Sequence, residues 1–112
     1  MNRPMNEHRL LIENIFYAGS GGRSEENTGL GFRAAFLDVD TMTVYPSCFR
    51  DGRPAPVHLL DGLPDDVVVD RTPSGRVLAA KATLISGFER NGFFYTRSAA
   101  ARAAAQWGQG AL

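Results

Sequence analysis

Apolar and polar positions alternate most clearly over residues 30–37, where Leu30, Phe32, Ala34 and Phe36 interleave with Gly31, Arg33, Ala35 and Leu37. That period of two predicts a strand with one strongly apolar face. Asp38-Val39-Asp40-Thr41-Met42 supplies turn chemistry, and Thr43-Val44-Tyr45 returns the chain as a second strand halted at Pro46, which makes a first hairpin. Val67-Val68-Val69, then Asp70 through Gly75, then Arg76-Val77-Leu78 repeat the order strand, turn, strand, with Pro73 fixing φ and Gly75 free to take a positive one. The outgoing strand is expected to run on to about Phe88, with Leu78, Ala80, Ala82 and Leu84 on one face and Lys81 and Thr83 on the other. Asn91-Gly92 is the signature of a tight hairpin turn, and Phe93-Phe94-Tyr95 then closes a three-stranded meander. Thr96 is placed to N-cap a helix over about 97–107, which would lay Ala99, Ala100, Ala103, Ala104 and Trp107 on the sheet before Gly108 and Gly110 fray it.

Other stretches are less regular. Residues 10–17 read as a strand from their β-branched and aromatic content, while Leu11, Ile12, Ile15 and Phe16 also fall at helical spacing; strand is the preferred reading and helix stays open. Residues 18–29 form the longest expected loop, too rich in glycine and polar groups for a helix or a central strand. Between Ser47 and Asp66 the prolines 54, 56 and 64 with Gly52 and Gly62 predict loop, broken by Val57-His58-Leu59-Leu60 as a short strand or one helical turn. The expected fold is α+β: a predominantly antiparallel, strongly curved sheet of five to seven short strands with a C-terminal helix packed on it. Alternating βαβ units are missing, which excludes a doubly wound nucleotide fold.

A chain of 112 residues, 44% apolar, supports one domain with one modest core. Residues 1–9 and 108–112 are expected to be flexible ends. Twelve basic against twelve acidic side chains leave no net charge, so the field that draws proteins to nucleic acid or anionic lipid is missing. Only Lys81 among the basic residues is lysine, a bias that a GC-rich coding sequence accounts for without functional cause. The single cysteine, Cys48, cannot close an intramolecular disulfide, and no signal-peptide core or membrane span appears, so a cytoplasmic location is expected.

Several groupings invite chemistry. Gly19-Ser20-Gly21-Gly22-Arg23 resembles a phosphate-cradling loop but lacks the Gly-Lys-Ser/Thr or G-x-G-x-x-G pattern, and reads as a surface connection or a binding loop. His8, His58 and Cys48 have no ligand spacing, so neither metal nor cofactor is expected. Asp38 and Asp40 share a strand face, where they cap turn amides or, as the alternative, hold a hard cation. Cys48, His58 and Asp61 are a candidate nucleophile, base and orienting acid, against which stands an inert buried thiol and a hydrogen-bonded surface histidine. Phe32, Phe36, Phe93, Phe94 and Tyr95 with Arg50 and Arg53 have the residue types of a base-stacking sheet, but strand alternation assigns those rings to the core, and nucleic acid is not the expected partner.

The runs YAGSGGRSEENTGLGFRAAFLDVDTMTVYPS, DGRPAPVHLLDGLP and GFERNGFFYTRSAAARA resemble a family of small bacterial proteins of unassigned function, of the kind carried as gene-cassette or mobile-element cargo. That resemblance implies no activity and assigns no role to any residue. The residues themselves suggest a non-enzymatic, self-associating binding module that uses loops 19–29 and 50–64 to hold a small polar or anionic ligand or a partner protein. Arg23, Glu25, Arg33 and His58 are the expected ligand contacts, arginine being suited to carboxylate and phosphate. Two alternatives stand beside it: a small hydrolase or isomerase with His58 as general base and Glu25 or Asp61 as its partner, and an inhibitor that docks on another protein.

Overall fold

The computed structural model describes residues 4–10 and 31–110, the last four of these by backbone alone. Of the strand or helix expected at 10–17 only Leu10 is described, in a helical turn, and the rest of it, the loop 18–29 and the Trp107 side chain lie outside the described residues. Six short strands and a helix are described: β1 (Arg33–Asp38), β2 (Thr43–Pro46), β3 (Val68–Arg71), β4 (Val77–Ala80), β5 (Leu84–Arg90), β6 (Phe93–Thr96) and α1 (Arg97–Gly110). All pair antiparallel, in a four-stranded sheet of order β2-β1-β5-β6 and a separate two-stranded sheet β3-β4. The α+β class holds. The single strongly curved sheet does not, because the chain divides its strands between two sheets.

The division falls where one long strand was expected to run to Phe88. The chain turns at Lys81-Ala82-Thr83, so β4 and β5 belong to different sheets. Three bonds make the bend: Lys81 N donates to Val67 O at 2.9 Å, Leu84 N to Lys81 O at 3.1 Å, and Val39 N to Thr83 O at 3.0 Å. The only lysine of the chain reaches across to the end of β1, its Nζ 2.8 Å from Asp38 Oδ2 and 3.8 Å from Asp40 Oδ2. Local alternation continues through this segment, so the pattern alone gives no sign of the break. It also misplaces Leu78, which is exposed rather than in the core. The meander is accordingly a β5-β6 hairpin joined to β1-β2.

The hairpin turns follow residue chemistry. Asn91 and Gly92 take φ of 54° and 85°, the left-handed pair of a tight turn, and Gly92 N donates to Glu89 Oε2 at 2.7 Å. Asp40 N donates to Asp38 Oδ1 at 3.0 Å, the turn-capping role expected of Asp38. Thr96 Oγ1 accepts from Ala99 N at 3.1 Å, so the expected N-cap forms, and the helix runs on to Gly110.

Central β1 is buried on both faces. One face carries Phe36 into a cluster with Met5, Leu10, Leu60, Leu63, Val67, Val77, Ala80 and Leu84. Along the same face Phe32 packs edge-on to Phe88 and Tyr95, with Ala100 of the helix covering them. Phe32 and Phe36 fill the core, as expected, and Tyr95 packs half-buried against it, whereas Phe93, also expected in the core, is exposed. Met5 is a surprise relative to the flexible end expected at residues 1–9. It is fully buried and exchanges backbone bonds with Ala80 of 3.2 and 2.9 Å, adding a bridge to the β4 edge. Asn6 then caps a helical turn at residues 7–10, with Oδ1 2.8 Å from Arg9 N.

Candidate functional site

Residues 47–64 cross the Phe36 face as irregular chain, and Val57–Leu60 is neither strand nor helix. Buried Ser47 holds the path by donating to Val57 O and accepting from Leu59 N, both at 2.8 Å. Gly62 lies so close to the Cys48 backbone that a Cβ there would collide with the Cys48 carbonyl. These contacts thrust His58 between Phe36 and Phe88, whose rings it meets edge-on with centroids 5.4 and 5.3 Å away.

Both nitrogens of that imidazole are engaged. Nε2 lies 2.7 Å from the Gly87 carbonyl, which can only accept, so Nε2 carries the proton. Nδ1 lies 3.1 Å from Arg97 Nη2, which can only donate, so Nδ1 offers its lone pair. Arg97 is itself buried and donates through Nε to Ser86 Oγ at 2.9 Å. Burial, and after it the adjacent Arg97 charge, push His58 down to about 3 from 6.5. A neutral ring of this kind is a poor general base near pH 7. Asp61 does not orient it, since its Oδ1 accepts from Val77 N at 3.1 Å. Cys48 is also elsewhere: its sulfur donates to Pro46 O at 3.3 Å and receives Arg33 Nη2 at 3.7 Å. The expected triad does not assemble, and His58 is a core residue rather than a surface histidine.

Of the four expected ligand contacts, Arg23 and Glu25 lie outside the described residues. Arg33 and His58 are described but lie on opposite faces of β1. Arg33 alternates away from Ala34 and Phe36, while His58 packs on Phe36. The Asp38 and Asp40 pair does gather a cation, but the cation is Lys81. That ammonium, and after it the Thr83 hydroxyl, hold the Asp38 carboxyl down to about 2 from 3.8. Arg50 is committed to Ser74 O at 2.9 Å, and Arg53 to Asp51 at 2.7 Å and the Phe49 face at 5.3 Å.

A concave site does form where the loop meets the docked N-terminal segment. A cleft of about 590 Å³ has Glu7, His8 and Leu10 on one side, His58 to Asp61 on the other, and Arg76 closing it. Its size is that of a small-ligand pocket. Leucines 10, 59 and 60 supply its apolar lining, and Glu7, His8, Asp61 and Arg76 supply polar groups. Arg76 Nη2 is 2.7 Å from Glu7 Oε1, and the Glu7 hydrogen bond, then the charges of Glu7 and Asp61, hold Arg76 above its ordinary pKa. The pair divides this cleft from a second hollow of about 360 Å³ that continues to Thr72, Val77 and Leu78. Sequence reasoning missed Glu7, His8 and Arg76 because the wall depends on Met5 docking at Ala80, a contact across 75 positions that no local pattern announces. The one available signal was Asn6, a helix-capping residue before a short polar turn.

Comparison of the chain with protein-family models, curated proteins and solved structures finds no match. Among the described residues no three His, Cys, Asp or Glu side chains are grouped to hold a metal ion, and no helix is long and apolar enough to cross a membrane.

Proposed function

We propose that this protein is a small non-enzymatic binding module whose ligand site is the cleft between residues 7–10, residues 58–61 and Arg76. One observation supports the reading above others: the fold leaves a cleft of about 590 Å³ lined by both leucines and charged groups. A ligand there gains hydrophobic burial against Leu59 and its neighbours, and orientation from groups that are only partly committed. Arg76 uses one guanidinium N–H on Glu7, and its side chain is 60% exposed, so its remaining donors face water. His58 serves as a positioning residue, holding the loop that forms one wall. On this reading loop 50–64 contributes residues 58–61 to the site, while Arg33 takes no part in it.

The test is a fragment screen on the uniformly ¹⁵N-labelled full chain, read by amide shifts. Hits are expected to move the amides of residues 7–10, 58–61 and 76–77 together. Hits confined to other surfaces, or a screen with none, would overturn the assignment. Native mass spectrometry of protein purified from its own host gives an independent reading, with a retained small molecule as the supporting result.

A further inference from the structure

Resting on that binding reading, we infer that the cleft takes a ligand with a cationic head, a primary ammonium, on a short aliphatic body. The balance of carboxylate and guanidinium groups in the lining carries the inference: Glu7 and Asp61 both act on one guanidinium, Arg76, so carboxylates outnumber guanidinium groups two to one, with the imidazoles of His8 and His58 beside them. The expectation of an anionic ligand came from Arg23 and Arg33 as carboxylate or phosphate contacts, and neither lines this cleft among the described residues. Here the arginine is already opposed by two carboxylates, and a third negative group would be repelled by both.

The unused hydrogen-bonding capacity points the same way. Glu7 receives Arg76 on Oε1, and Asp61 receives Val77 N on Oδ1. Each carboxylate keeps a second oxygen with no partner among the described residues. An ammonium offers three donors on a compact charge, the kind of group that carboxylate oxygens accept. Leu10, Leu59 and Leu60 in the same cleft suit an unbranched aliphatic body. Arg76 then acts on the carboxylates, holding Glu7 at the opening.

The experiment compares three probes of matched chain length, n-hexylammonium, hexanoate and hexanol, by amide shifts of the full chain at about pH 8, where the amine is still charged. Hexylammonium is expected to move the cleft amides with an affinity about tenfold above hexanoate, the gap narrowing as salt is added. Asp61→Asn keeps the oxygen that accepts from Val77 N, and should weaken hexylammonium severalfold while leaving hexanol unchanged. Glu7→Gln should do the same. Hexanoate binding at the same amides as tightly as hexylammonium would overturn the cationic class and leave the binding site standing. Cleft amides silent to all three probes would overturn the inference, and only a fragment screen with no hit at those amides besides would remove the binding reading too.

Discussion

His58 should make the protein lose stability in mildly acid solution, well above the range where carboxylates titrate. In the folded chain the ring is neutral and held down to about 3, while in the unfolded chain it returns to 6.5. Between those values the unfolded state binds a proton that the native state refuses, so acid favours unfolding. Integrating the difference from pH 7 to pH 5 gives a loss of about 2 kcal/mol from this one residue. That figure changes little for any folded value below about 4, since over this window only the unfolded ring titrates. The direction has a structural cause: a proton on Nδ1 would set two donors face to face at the 3.1 Å contact with Arg97. Urea unfolding at the two pH values, followed by far-ultraviolet circular dichroism, measures the loss. His58→Gln removes the titrating group and keeps an amide able to donate to Gly87. The variant is expected to be less stable at pH 7 and to show a pH 7 to 5 loss smaller by about 2 kcal/mol. Equal losses in the two proteins would refute the assignment of a buried neutral imidazole.

Gly87→Ala is expected to cost about 1–3 kcal/mol in urea unfolding, because the new Cβ collides with the Tyr95 carbonyl and the Phe94 ring in a buried strand. Thr96→Ala removes the side-chain acceptor for Ala99 N and should cost about 1 kcal/mol, with Thr96→Ser restoring most of it. Lys81→Met deprives Asp38 of the partner that keeps its carboxyl at about 2. The stability Asp38 contributes is present above about 4 and lost as pH falls through about 2. In Lys81→Met a carbon-detected titration should show the Asp38 value rising, and the acid-unfolding midpoint should move up with it.

The residues that made the fold legible act over short range. Alternation from Phe32 to Phe36, the Asn91-Gly92 turn and the Thr96 cap each encode a conformation within a few positions, and each forms as read. The sheet division was hidden because the bonds at the bend reach Val67 and Val39, and Lys81 reaches Asp38, 43 positions away, while the local sequence keeps alternating. A lone lysine among arginines was visible and was read as codon bias. At this bend its compact ammonium lies within 4 Å of two carboxylates at once. His58 was singled out for its chemistry, yet the same ring fills the gap between Phe36 and Phe88 and satisfies the Gly87 carbonyl. A histidine in an apolar run is compatible with either role, and only the partners of its two nitrogens decide between them.

The cleft was the least legible feature, because its two walls come from segments far apart in the chain. Residues 7–10 are held in place by the Met5 bridge to Ala80, and Arg76 lies immediately before that same strand. The Glu7 to Arg76 pair is exposed on both sides and contributes little in water, so it is Met5, fully buried, that anchors this wall. Docking of the N-terminal segment and assembly of the cleft are therefore one event. A ligand that touches both Glu7 and Asp61 binds only the docked form, and must stabilise it by mass action. Met5→Ala should accordingly weaken any cleft ligand without altering one residue that touches it. The same substitution should leave the β5-β6 hairpin and its turn amides unchanged, which separates undocking from general unfolding.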